Sequence, residues 1–314
     1  MRAMLSPTRL LLAALVVGLG LVPLFGGRYE IYLATEILIF ALFAMSLNLM
    51  LGFGGLISFG HAAYFAIGAY SIGVFGTTLQ WPFVLTFVGA VVVSAAAAFV
   101  IGYFCVRLKS IFLAMLTLAF GQFIWAIAFQ WRSVTKGDTG FIGIRVPALI
   151  STPQSFYYFV LLVAVLGTAL LWVITRSAFG RILVSTRENE MRAEFVGVNV
   201  KRIQLIAFVI SGTFSAVAGG LFALFNRSVF PDFAWWTMSS EVLIMAILGG
   251  IHSFLGPALG AAAIILLDRS ITEYTQYWPT VLGIILLIVL FVFPDGLAGL
   301  ATRWRRRSPA GKEG

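Results

Sequence analysis

His61, His252, Cys105, Glu36 and Glu241 are the side chains that could ligate a metal, carry a proton or attack a substrate within the apolar stretches of this sequence. Their spacing builds none of those centres. The two histidines stand far apart, with no Cys, His or carboxylate cluster at zinc-ligand spacing, so no metal site is expected. No Gly-x-x-x-x-Gly-Lys-Ser/Thr run occurs, so the chain does not itself cradle ATP phosphates. Nucleophile elbows and paired catalytic carboxylates are missing too, and no residue is expected to be catalytic. A histidine at a helix end reads as a hydrogen-bond partner of backbone. Cys105 can form no internal disulfide and reads as a small apolar packing residue. What remains is the chemistry of passage and docking.

Passage needs polar groups inside apolar sequence, where each is costly and usually functional. Glu36 and Glu241 qualify, while Asp268 and Arg269 stand at a span end and are expected to pair with each other. Two stretches are alike, "GGLISFGHAA" from Gly54 and "GGIHSFLGPA" from Gly249, both reading Gly-Gly-apolar-x-Ser-Phe. A glycine weakens a helix by about 1 kcal/mol relative to Ala. The backbone groups it frees are tolerated at membrane depth only where they are buried in protein or line a wet cavity. Matched breaks in two halves point to a transport path. The expected path residues are therefore Gly54, Gly55, Ser58, Gly249, Gly250 and Ser253, with Glu241. Close helix packing explains the same glycines without a path.

Docking points to "GRILVSTRENEMRAEFVGVNVKR", Gly180 to Arg202, the one long polar stretch of the chain. Ser185 and Glu188 match a Ser-x-x-Glu capping box, which predicts a helix start. Glu188 and Arg192 then stand one turn apart. Gly197 closes the helix in a left-handed conformation. The segment makes about three turns, too short to span a bilayer. Met191 and Phe195 share one face among charges. Six basic and three acidic residues across 176–202 suit a protein groove better than an anionic membrane surface.

These groups need elements to hold them, and the composition says which. Apolar residues make up 61% of the 314, charged residues 11%, and soluble domains carry about a quarter charged. The sequence predicts an all-α polytopic membrane protein, one permease domain over 1–314, with about ten spanning helices near 10–25, 31–51, 62–79, 83–105, 110–131, 156–175, 205–225, 237–251, 256–272 and 278–293. Residues 176–204 form a cytoplasmic loop and 303–314 a basic tail. With both termini inside, fifteen of the 21 Lys and Arg fall on the cytoplasmic side. The net charge of +9 then reports orientation and contact with membrane lipid, and no nucleic acid partner is expected. "TKGDTGFIGIRVP", Thr135 to Pro147, is an outer turn-forming loop.

Gly180 to Leu224, "LNLMLGFGGLISFGHAAYFAIGAY", "LIMAILGGIHSFLGPALGA" and the terminal "FPDGLAGL" resemble, in order, the permeases of branched-chain amino acid ABC importers, the LivM/LivH family, and most closely its LivM-like subunit. The resemblance implies a bacterial inner-membrane importer with a second, LivH-like permease, two cytoplasmic ATPases that bind the ATP, and an extracytoplasmic substrate-binding protein. No cofactor is implied in this chain. By the same match Gly180, Arg187, Glu188, Asn189, Glu190, Ala193 and Gly197 are coupling positions. The family pattern also admits urea or short amides as solute. A carrier or channel that works without ATP, or a structural scaffold, is the reading from other classes, and it predicts no dependence on an ATPase partner.

Overall fold

A computed structural model describes residues 18–272, 280–281, 283–285, 287 and 296–299. Helices dominate because a backbone in lipid must satisfy its own N–H and C=O groups. Five described helical stretches are long and apolar enough to cross a membrane. They are α1 (Arg28–Asn48), which runs on through a π-helical turn Leu49–Phe53, then α3 (Phe83–Cys105), α4 (Ser110–Gln130), α5 (Pro153–Arg176) and α8 (Val200–Asn226). Shorter helices pack with them, among them α2 (His61–Gly73), α9 (Trp236–Gly249) and α10 (Gly256–Thr272). Between α5 and α8 lie α6 (Ala178–Glu188) and α7 (Glu190–Phe195).

α1 and α8 form the centre, 78% and 61% buried along their most apolar windows, against 22–28% for α3, α4 and α5. The outer helices turn apolar rows outward. Leu162, Leu166, Leu170 and Val173 share one face of α5, each more than half exposed. Such a belt belongs in lipid, and the chain is a multi-pass membrane protein.

The centre closes through small residues. A Cβ on Gly219 of α8 would lie 1.9 Å from the Phe65 carbonyl oxygen of α2, and one on Gly68 of α2 would lie 2.1 Å from that of Ala216. The two backbones therefore touch, as small residues allow where lipid gives no hydrophobic drive. Around the crossing, Phe43 and Phe65 meet at 4.5 Å between centroids, and Phe40 meets Phe222 edge-on at 5.4 Å. At the end of the bundle away from α6, a two-residue β1 (Phe141–Ile142) pairs antiparallel with β2 (Ser228–Val229). The predicted turn loop thus also carries a strand, with Gly140 at φ +58° against the Val229 carbonyl.

Boundaries shift modestly from expectation. The span expected at 205–225 starts at Val200, because Asn199 caps it by accepting from the Arg202 N–H at 3.1 Å. The break after α9 falls at Gly249. Arg269 does not pair with its sequence neighbour Asp268. Its guanidinium donates to both carboxylate oxygens of Glu36 on α1, at 2.9 and 2.8 Å, while Asp268 accepts from Thr272 one turn away. Helix geometry sends adjacent side chains in different directions, so the partner comes from another helix. The expected span at 10–25 is described only from residue 18, which is helical to 25, and that at 278–293 only at its helical residues 280–281, 283–285 and 287. The basic tail 303–314 lies outside the described residues.

Replacing Gly219 with Val forces a branched side chain into the Phe65 backbone and is expected to cost about 3 kcal/mol. Gly76→Ala, which meets only Thr86 Cγ2 at 3.7 Å, serves as the near-neutral comparison. Thermal unfolding in detergent reads both. Equal midpoints would contradict the crossing.

Candidate functional site

The polar stretch folds as two short helices. Ser177 ends α5 and starts α6, its hydroxyl donating to the Ile174 carbonyl at 2.7 Å and accepting from the Gly180 N–H at 3.4 Å. Gly180 fits this corner because a Cβ there would sit 2.1 Å from the Thr175 carbonyl. α6 buries Gly180, Leu183 and Thr186. It ends at Glu188, where Asn189 turns extended (φ −160°) and its Oδ1 accepts from the Arg192 N–H at 2.9 Å to start α7.

The capping box expected at Ser185 is therefore not a helix start. Ser185 lies inside α6 and donates to the Ile182 carbonyl at 2.7 Å. Asn189 takes the capping role, as short Asx side chains do at an N-cap. Glu188 is left exposed, 3.9 Å from Arg187, and is separated from Arg192 by the break. Gly197 does close α7 with φ +89°. Its N–H donates to the Glu194 carbonyl at 2.9 Å and that of Val198 to Ala193 at 3.1 Å, the pair of bonds of a Schellman end.

Two contacts tie this loop to the first glycine break. The Arg187 guanidinium donates to the Gly52 carbonyl, which the end of α1 leaves without a helical donor. Gly55, at φ +68°, lies under the Arg187 stem, where a Cβ would approach Cγ at 2.7 Å. Glu190 accepts from Gln204 Nε2 of α8 at 3.0 Å and pairs with Lys109, in the turn between α3 and α4. The Glu190 carboxylate, as hydrogen-bond acceptor and as charge, holds the Lys109 ammonium above its ordinary pKa. A raised lysine pKa keeps the ammonium charged through neutral pH, so on the alkaline side the tie is lost as pH climbs through the raised value. A crevice of about 150 Å³ lies among Gly54, Gly55, Lys109, Ser110, Arg187 and Glu190.

The two breaks meet each other as well. Asn48 Nδ2 donates to the Ser253 carbonyl at 3.4 Å, and a Cβ on Gly52 would stand 2.1 Å from the Ile251 carbonyl. Gly250 takes φ +107°, and Gly249 packs against the Gly256 carbonyl. From Gly55 the chain returns non-helically beside the bundle core to His61. Hydroxyls from other helices meet its freed donors: Thr117 Oγ1 accepts from the Phe59 N–H at 3.2 Å and Ser239 Oγ from the Ala62 N–H at 2.9 Å. His61 is buried with Nε2 3.2 Å from Ser46 Oγ, and its ring stacks on Phe43. Ser58 is fully buried, its hydroxyl without a partner among the described residues.

Of the expected path residues, Gly54 and Gly55 thus stand against the loop, and Gly249, Gly250 and Ser253 form the break that abuts the first. Glu241 stands apart. It is half-buried eight residues before Gly249, about 12 Å along α9. Asn48, Gly52 and Gln204 were absent from the expected site, and Lys109 entered the sequence reading only as a cytoplasmic charge. Gln204, a lone amide in an apolar run, was the visible signal.

Residues 30–293 match the family described as branched-chain amino acid transport system / permease component. The high-affinity branched-chain amino acid transport system permease protein LivM of Salmonella typhimurium is 29% identical over 92% of this chain and 74% of its own length. The corresponding LivH protein of Escherichia coli is 27% identical over 83% of this chain and 91% of its own. A probable LivM protein of Methanocaldococcus jannaschii is 21% identical over 81% of this chain and 88% of its own. No solved structure matches.

Asn189→Ala removes the cap of α7 and is expected to cost about 1 kcal/mol, speeding exchange of the Arg192 amide roughly fivefold. Ser185→Ala should leave that amide unchanged. Hydrogen exchange read by mass spectrometry separates the two, and faster exchange of the Glu188 amide in Ser185→Ala, with the Arg192 amide unchanged in Asn189→Ala, would restore the capping box.

Proposed function

This chain belongs to the family of branched-chain amino acid transport permease components, and on that footing we propose that it is one permease of an ABC importer for apolar amino acids. A second, LivH-like permease completes the pore. Two cytoplasmic ATPases supply the energy from ATP, which this chain does not bind, and an external binding protein delivers the solute. The chain sits in a bacterial inner membrane with both termini cytoplasmic, the orientation that the Lys and Arg distribution favours.

The observation that carries the coupling role is the outward face of the loop. Met191, Phe195 and Val196 are 66%, 85% and 77% exposed, ringed by Arg192, Glu188 and Glu194. Three large apolar side chains on a polar element are costly to leave in water and suit the groove of a partner, where such anchors carry most binding energy. Behind them, Arg187 holds the Gly52 carbonyl and Asn48 holds Ser253. A pull on the loop therefore reaches both breaks. Gly180, Ala193, Asn189 and Gly197 shape the loop, while Arg187 and Glu190 anchor it to the bundle. Movement of the joined breaks, including Gly54, Gly55, Ser58, Gly249, Gly250 and Ser253, would open and close the path, with Glu241 further along it.

Met191→Asp with Phe195→Asp changes exposed positions only and should leave membrane insertion intact. ATP-driven leucine uptake into proteoliposomes containing the full transporter is expected to fall at least about tenfold, with the ATPase lost on purification, since an interface anchor is worth about 2 kcal/mol or more. Uptake and assembly at the unaltered level would overturn the coupling assignment.

A further inference from the structure

At the end of the bundle opposite α6 and α7, the starts of α1 and α5 and the end of α8 enclose a cavity of about 270 Å³. Ile31, Val146, Ile150, Phe156, Leu224 and Phe225 give it apolar walls. Arg28 and Arg227 stand at it, and no carboxylate lines it. Among the described residues neither arginine joins an ion pair. Arg227 reaches only the Ser151 carbonyl, at 3.5 Å.

Arg227 is held there by its backbone. It ends α8 with φ +53° and ψ +26°, a left-handed conformation in which a Cβ is strained. Its carbonyl accepts from the N–H groups of Gly143, at 2.9 Å, and Ile144, at 3.0 Å, so the loop that follows β1 fixes the turn. Arg28 opens α1, and Tyr32, one turn on, lies 4.3 Å from the Phe225 ring on the cavity wall.

We infer that this cavity is a recognition site for a small zwitterion with an apolar side chain. Arg28 and Arg227 receive its carboxylate, since a guanidinium presents a fork of donors matched to two carboxylate oxygens. The Tyr32 hydroxyl and the Ser151 carbonyl offer acceptors to its ammonium, and Phe156 and Leu224 take the side chain. The volume lies at the lower edge of the roughly 300–1,000 Å³ usual for ligand pockets, which selects a small solute. The inference rests on the amino acid permease reading and adds a binding place on this subunit, at the end where solute enters. An anionic lipid headgroup offers a similar charge, and the test separates the two.

Ser151→Cys places a thiol on the cavity, and the native Cys105 is buried, so labelling by a charged maleimide reports the cavity. The transporter complex is examined in nanodiscs of neutral phosphatidylcholine. Saturating leucine should slow labelling about tenfold, and leucinamide, without the carboxylate, should not. Arg227→Asn, a residue that tolerates the left-handed turn, should raise the leucine concentration needed by about tenfold, the loss of one charge-assisted contact. Absence of protection by leucine, equal protection by leucinamide, or protection by phosphatidylglycerol alone would each overturn the site. ATP-driven uptake by the same complex reconstituted in proteoliposomes keeps the two readings apart: uptake without protection strikes only this site, whereas protection without uptake strikes the transport reading and leaves the site.

Discussion

A carbonyl that leaves a helix inside a membrane protein must find a donor from the protein itself, because lipid supplies none. The Gly52 carbonyl meets this constraint through Arg187, a residue from the polar loop 135 positions later. Much of the architecture at that end follows from this bond. It fixes α6 against the end of α1, requires glycine at position 55 beneath the arginine stem, and leaves Asn48 free to hold the second break. The same constraint is met deeper in the bundle by hydroxyls, with Thr117 and Ser239 accepting from N–H groups around the start of α2.

Packing makes those breaks tolerable. The backbone contacts of Gly68 and Gly219 bring α2 against α8, and in the non-helical return from Gly55 to His61 the residues Leu56, Ser58 and Gly60 are buried in protein while Gly55 and Ile57 stay exposed. His61 then needs no charge partner, having Ser46 at one nitrogen and Phe43 against its ring. α3, α4 and α5 face outward with apolar rows, while Leu183 of the loop and Leu248 at the second break share the main core with α1 and α8, and Met50 and Leu56 at the first break pack with Phe208 of α8 in a second cluster. The rigid centre thus joins a loop built for contact with a partner to the segments that interrupt the helices.

Much of this was legible in the sequence. Long apolar runs predicted the helices, the paired Gly-Gly-x-x-Ser-Phe stretches marked both breaks, and Gly197 announced its own left-handed turn. The split of the loop at Asn189 was hidden by a Ser-x-x-Glu pattern that fits a cap equally well, and local pattern cannot tell which of two candidate caps a tertiary environment uses. Contacts such as Arg187 with Gly52 and Arg269 with Glu36 join residues more than a hundred positions apart, where spacing carries no information. Lys109 read as one more cytoplasmic cation, although it holds Glu190.

The distance between the two breaks during turnover tests the coupling most directly. Nitroxide labels at Ile57 and His252, both exposed positions beside the breaks, report that distance by electron paramagnetic resonance in the assembled transporter. Trapping the ATPases with vanadate should shift the distance distribution in the otherwise native chain, and Arg187→Ala should abolish the shift while ATP is still hydrolysed. A shift of the same size in the Arg187→Ala chain, or none in the native one, would contradict transmission through the Gly52 carbonyl.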